Sequence, residues 1–425
     1  MEKQKVSTKK RISILMRKKI PGQLVIQLTD ICNAHCPQCG MRSTNKFKRS
    51  KLPVDDAKRI LDAAVQNGVK AVSFTGGEPF LFFDELCLLI KYAGQLGIEY
   101  IRTGTNGFLF RYMNGSNFES KIKTIAEKLA KTPIRNFWIS IDSAVPEIHE
   151  KMRGFPSVIS GIEKSLPIFH EFGIYPSVNL GINRNMAPGI TGLDDSKSEN
   201  GKGLIQDTYS NYRAAFRMFY QFVINMGFTI INMCYPMSIA PEEDGSPLRP
   251  VYAATSPENI VKFNRLEKIL LFRALLRTVL EFRSKIRIFT PLSSLHALTM
   301  QLMGGTTAAY PCRGGIDFFF IDSHDGNTYP CGYRGNENLG RYWEIEWDKV
   351  CGSKDCFMCD WECFRDPSEL FGPVLQGLSN PLNLIKRFKN NPKHFHFWWN
   401  DLKYYRACDF FNGRYAPDYN KLINF

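Results

Sequence analysis

Nine of the twelve cysteines in this 425-residue chain are spaced as metal ligands. Cys32, Cys36 and Cys39 form a Cys-x3-Cys-x2-Cys run; Cys312 and Cys331 stand alone, followed by Cys351, Cys356, Cys359 and Cys363. Three thiolates so close together can wrap one corner of an iron–sulfur cube, each taking one iron. The fourth iron then lacks a protein ligand, and an open position makes a metal centre reactive. A zinc knuckle completed by His35 is the competing reading of this run. Three solitary cysteines remain: Cys87 reads as a core position, Cys234 ends the sixth strand and faces either the core or the active site, and Cys408 stands apart from both groups.

Other residues suit a charged ligand. Gly76, Gly77, Glu78 and Pro79 follow a strand-like segment. Paired glycines allow close backbone approach, and Glu78 offers an acceptor for an ammonium group. Asn106 sits in a Thr-Asn-Gly turn, and Ser140 and Asp142 in a Ser-Ile-Asp-Ser turn. Arg153 suits a bidentate carboxylate contact. Asn179 and Asn183 flank the end of a fifth strand-like segment.

Alternating elements must carry these groups. Strands are expected over 23–29, 71–75, 100–105, 136–142, 175–180 and 229–235. Helices are expected over 53–66, 83–94, 118–131, 157–172, 212–226 and 259–282. Short links between alternating strands and helices predict a parallel α/β sheet or barrel. A Gly-, Ser- and Asp-rich stretch at about 190–210 reads as a surface insertion. The division follows: a basic tail at 1–22, a barrel at 23–300, a cysteine region at 301–365, and an aromatic, basic extension at 366–425.

Composition excludes collagen-like, mucin-like and disordered classes, because 44% of residues are hydrophobic and 13% aromatic. No apolar run is long enough to span a membrane. The N-terminal apolar run Ile12–Met16 meets Arg17, Lys18 and Lys19 at once, so no secretory signal is expected, and the chain reads as cytoplasmic. Reduced thiols in that compartment favour metal ligation over disulfides. Net charge is +14, and residues 1–19 carry eight Lys or Arg against one Glu. Such a tail reads as solvated, or as a weak foothold on an anionic membrane surface.

The cysteine run and the Gly-Gly-Glu-Pro segment together resemble the radical S-adenosylmethionine (radical SAM) enzymes. The resemblance covers about residues 23–236 and implies a partial (β/α)6 barrel. It implies that Cys32, Cys36 and Cys39 bind a 4Fe–4S cluster whose free iron chelates S-adenosylmethionine. Gly76, Gly77, Glu78, Pro79, Asn106, Ser140, Asp142, Arg153 and Asn179 would contact that cofactor. Reductive cleavage would give a 5′-deoxyadenosyl radical that abstracts hydrogen from a substrate, with electrons from a flavodoxin- or ferredoxin-type donor.

The later cysteines resemble the auxiliary-cluster extensions called SPASM and twitch. That likeness implies one further 4Fe–4S cluster on Cys312, Cys331, Cys356 and Cys359. Cys351 and Cys363 are further candidate ligands, but with Cys408 the region holds seven cysteines, one short of eight thiolates for two clusters. Either one or two auxiliary clusters remain open. The substrate is a small metabolite, a peptide or a lipid-like molecule. The alternative from another class is a zinc-stabilised basic nucleic-acid-binding protein; the enzyme reading expects no nucleic acid.

Overall fold

The computed structural model describes residues 20–39, 48–112, 117–190, 192–193, 201–236, 248–251, 258–305, 309–347 and 355–425. The basic tail to residue 19, part of the expected insertion and Cys351 lie outside the described residues.

Seven strands in chain order form the first part of one sheet: β1 (Gly22–Thr29), β2 (Val69–Gly76), β3 (Tyr100–Thr105), β4 (Asn136–Ser140), β5 (Ser177–Gly181), β6 (Ile230–Cys234) and β7 (Arg287–Ile288). Helices α1 (Val54–Gln66), α2 (Phe83–Gln95), α3 (Phe118–Ala130), α4 (Pro146–Arg153), α5 (Val158–Glu171), α6 (Gly201–Asn225) and α7 (Arg265–Phe282) alternate with them. Helix α1 shows why. Asp55 and Asp56 occupy its first turn, where the helix dipole favours negative charge, and Ala57, Ile60, Leu61 and Ala64 bury one stripe.

The sheet extends past the six strands expected from sequence. Strand β8 (Phe318–Ile321) runs parallel to β1, and β9 (Thr328–Tyr329) pairs with β8 antiparallel. The order is β7-β6-β5-β4-β3-β2-β1-β8-β9. The cysteine region therefore contributes directly to the barrel sheet. A second correction concerns the insertion: α6 begins at Gly201, so residues 201–210 are helical.

Alternation along β1 sorts two cores. Leu24, Ile26 and Leu28 join the large core, whereas Val25 packs with Phe318, Phe320, Cys312 and Trp361 in a smaller one. The chain then continues through α8 (Leu292–Leu302), α9 (Glu362–Ser379), α10 (Pro381–Asn390), α11 (Pro392–Ala407) and α12 (Tyr419–Leu422). The extension is integral to the fold: buried Asp401 on α11 pairs with Arg283 and accepts from the Leu292 amide at 3.0 Å. Cys87 and Cys408 both lie in the large core.

Candidate metal centre and active site

The first cysteine loop leaves the carboxyl end of β1, the edge where parallel barrels collect their functional groups. Its entry is fixed by the Ser50 amide donating to Asp30 Oδ1 at 2.5 Å and the Ile31 amide to Thr29 Oγ1 at 3.0 Å. Cys36 is buried, and Cys32 and Cys39 are half-buried. Burial pushes the Cys36 thiol up to about 12, with Arg153 opposing and the Cys39 and Cys32 thiols adding to the rise. The charges of Cys32 and Cys39 reach Cys36, and loading a metal on these thiols must remove their protons. The Ala34 amide donates to Cys32 Sγ at 3.5 Å, and Asn106 Nδ2 lies 3.7 Å from the same sulfur.

The two glycines make their close approach to protein backbone. The Gly77 amide donates to the Thr29 carbonyl at 2.6 Å, and the Glu78 amide to the Ile31 carbonyl at 2.9 Å. A Cβ on Gly76 would stand 2.1 Å from the Thr29 oxygen, and one on Gly77 2.3 Å from the Ile31 oxygen. The segment therefore clamps the start of the cysteine loop to the end of β2. Gly77→Ala is expected to displace that loop and lower iron incorporation severalfold, measured by iron content after anaerobic reconstitution. Wild-type iron content in this variant would contradict the clamp.

Glu78 is fully buried, and its carboxylate is committed to backbone. One oxygen accepts from the Phe80 amide at 2.9 Å and the other from the Asn106 amide at 2.6 Å. Burial pushes its pKa up to about 7, against the lowering effect of these donors. The expected ammonium acceptor is thus a staple joining the ends of β2 and β3, and Pro79 opens the short helical turn that follows. Asn106 bonds Asn33 Oδ1 through Nδ2 at 2.9 Å, tying the β3 end to the cysteine loop.

Arg153 pairs with a neighbouring carboxylate. Its Nε and Nη2 grip the Asp142 carboxylate at 2.7 and 2.8 Å in a buried bidentate pair, so the guanidinium is already matched. Burial alone would raise the Asp142 pKa, but Arg153 outweighs it and holds the carboxyl below its ordinary value. His149 accepts from the Asp142 amide at 3.0 Å, and burial pushes its pKa down to about 4, leaving the ring neutral at physiological pH. Arg153→Leu would strand a buried carboxylate and should cost about 3–5 kcal/mol in denaturant unfolding. The Arg153→Leu/Asp142→Leu double variant should recover most of that loss; an additive double loss would contradict the pairing.

Ser140 and Asn179 are register partners on β4 and β5. Asn179 accepts from Asn232 Nδ2 at 2.8 Å and donates to Cys234 Sγ at 3.3 Å. Asn183 donates to the Asp142 carbonyl at 2.9 Å. The polar row at these strand ends is thus largely cross-linked within itself.

Four later cysteines meet around one small cavity: Cys312, Cys331, Cys356 and Cys359, closed by Trp361 and Phe364. The Cys312 amide donates to the Cys356 carbonyl at 2.9 Å, bringing two distant segments together. The Gly314 amide donates to Cys312 Sγ and the Tyr333 amide to Cys331 Sγ, both at 3.4 Å. Amide donors to sulfur are a means of tuning bound clusters. Among the described residues, no three His, Cys, Asp or Glu side chains converge on one metal-ion position. The four cysteines line one shared cavity.

Cys363 stands outside this quartet. Its thiol lies 3.6 Å from Glu362 Oε1, at the start of α9, while the Tyr235 amide donates to Glu362 Oε2 at 3.3 Å. Burial raises the pKa values of Glu362, Cys234, Cys363 and Asp366. Arg102 of β3 lowers that of Cys363 and donates to Ser73 Oγ at 2.6 Å. Its guanidinium lies 5.9 Å from the Trp138 ring centre. Sequence reasoning missed Arg102, Trp138, Glu362 and Asp366, because isolated residues of these types carry no motif. An arginine in a strand with a tryptophan in the next was the available signal.

A parallel barrel with a cysteine loop at its strand ends defines a class of enzyme that works on ligands held at that edge. Residues 26–195 match the radical SAM superfamily model. Enzymes of that superfamily use a 4Fe–4S cluster and S-adenosylmethionine. An AdoMet-dependent heme synthase of Oleidesulfovibrio alaskensis is 23% identical over 349 residues, 76% of this chain and 73% of that protein. A GTP 3′,8-cyclase of Vibrio parahaemolyticus is 28% identical over 154 residues, 35% of this chain but only 42% of that protein. Streptococcus suis SuiB bound to its precursor peptide SuiA shares the fold at a TM-score of 0.50 and 17% identity, covering 81% of this chain and 68% of SuiB. No helix among the described residues is long and apolar enough to cross a membrane.

Proposed function

We propose that Cys32, Cys36 and Cys39 hold the core 4Fe–4S cluster and that Cys312, Cys331, Cys356 and Cys359 hold one auxiliary cluster. The carrying observation is that thiols from three separate segments meet around a single cavity beside β8. When bound, the core cluster and S-adenosylmethionine supply a hydrogen-abstracting 5′-deoxyadenosyl radical, using an electron from a flavodoxin- or ferredoxin-type donor. Glu78, Gly77 and Asn106 hold the cysteine loop rigid. The Asp142–Arg153 pair fixes the β4 end and sets the charge near Cys36. A reducing, cytoplasmic setting keeps all seven thiols available.

The substrate is held where the first turn of α9 faces β1, β3 and β6. Gln23 of β1 donates to the Cys363 carbonyl at 3.4 Å, and Glu362 takes the Tyr235 amide just beyond β6. Arg102 supplies a cation there, and among the described residues no carboxylate pairs with it. An anionic small metabolite suits this cation. The named relatives, a heme synthase and a GTP cyclase, are consistent with a small molecule, whereas SuiB holds a peptide.

The test uses reconstituted, reduced protein incubated with fractionated extracts of deuterium-grown cells. Deuterium should enter 5′-deoxyadenosine with an anionic fraction, and Arg102→Leu should lose this transfer at least about tenfold while still cleaving S-adenosylmethionine. Transfer from a peptide fraction alone, or transfer untouched by Arg102→Leu, would overturn the substrate reading.

A further inference from the structure

Helix α10 has an outer face that no part of the described chain covers. Its inner face is settled by contacts: Arg387 donates to the Ala309 carbonyl at 2.7 Å, and the Phe388 ring packs tilted against Phe395, with ring centres 4.3 Å apart. The opposite face presents Leu382, Ile385, Lys386 and Lys389, spaced three, four and seven residues from the first. Leu382 is 77% exposed and Ile385 52%, an arrangement water alone disfavours. Trp399 on the neighbouring α11 is also exposed, at 47%.

Charge specifies the partner. From 376 to 407 the only acidic residue is Asp401, which is buried and paired with Arg283. Lys386, Lys389 and Lys393 pair with no carboxylate among the described residues. An apolar strip flanked by lysines, with a tryptophan beside it, is the pattern of a helix lying in the plane of a lipid interface.

We infer that the outer face of α10, with Trp399 of α11, docks the enzyme onto an anionic phospholipid surface. Leu382 and Ile385 enter the acyl boundary, and Lys386 and Lys389 meet lipid phosphates. Neither contact alone anchors a protein, so binding is reversible and salt-sensitive. This inference is independent of the cluster assignments.

The full chain is sedimented with phosphatidylglycerol–phosphatidylcholine vesicles, about one-third anionic, and with pure phosphatidylcholine vesicles. The protein should pellet with the first, be released by high salt, and stay in solution with the second. The Lys386→Glu/Lys389→Glu and Leu382→Glu/Ile385→Glu variants should each lose at least about tenfold in partitioning, with unchanged iron content and thermal unfolding. Removal of residues 1–19 should leave pelleting in place. Failure of the wild type to pellet, indifference to both double variants, loss on removing the tail, or self-association abolished by Leu382→Glu would each overturn the proposal. The last outcome would assign this face to a second copy of the chain.

Discussion

Replacing Cys36 with serine abolishes 5′-deoxyadenosine formation and removes about four irons per chain, leaving the auxiliary cluster in place. Cys36 is the most buried of the three loop thiols. A serine hydroxyl there binds iron poorly, and its neighbours at Cys32 and Cys39 cannot hold a cube alone. Removing a group that hydrogen-bonds a metal ligand already costs about 10–100-fold, so loss of the ligand itself should exceed about a hundredfold. Mass-spectrometric product assay and iron analysis under dithionite check both parts. Undiminished cleavage with full iron would remove the loop from the account.

Cys356→Ser separates the two metal sites. It should cost about four irons and at least about a hundredfold in coupled substrate turnover, while S-adenosylmethionine cleavage stays within about tenfold of the parent. The Cys312–Cys356 backbone bond does not depend on the thiol, so the fold should survive. Cys363→Ser is the matched control. Its sulfur faces Glu362 rather than the four-cysteine cavity, so that variant should keep its iron. Iron loss from Cys363→Ser with full loading of Cys356→Ser would reverse the assignment.

Much of the barrel could be read from residues because its signals are local. Apolar runs such as Val69–Gly76 end at glycines, and stripes such as Ile60, Leu61 and Ala64 repeat at the helical period. Long-range pairing was less visible. Phe318–Ile321 sits among loop residues, and nothing near it announces that its partner is β1, almost 300 residues earlier. The start of α6 was hidden by polar residues, since exposed helical turns need no apolar stripe.

In the site, cysteine spacing singled out the loop that leaves β1 and the four later cysteines that line one cavity. Cys363, a further candidate ligand by spacing, sits in the first turn of α9, where its thiol lies 3.6 Å from Glu362 Oε1. Glu78 and Arg153 were assigned to a ligand because their chemistry suits one. Only tertiary contacts show that Glu78 also accepts from backbone amides and that Arg153 also pairs with Asp142.

Electron paramagnetic resonance of the anaerobically reconstituted, dithionite-reduced protein tests the central claim most directly. With about eight irons per chain, one reduced-cluster signal should change its g-values when S-adenosylmethionine is added, and Cys36→Ser should abolish that change. A spectrum indifferent to S-adenosylmethionine, or colourless protein carrying stoichiometric zinc, would contradict it.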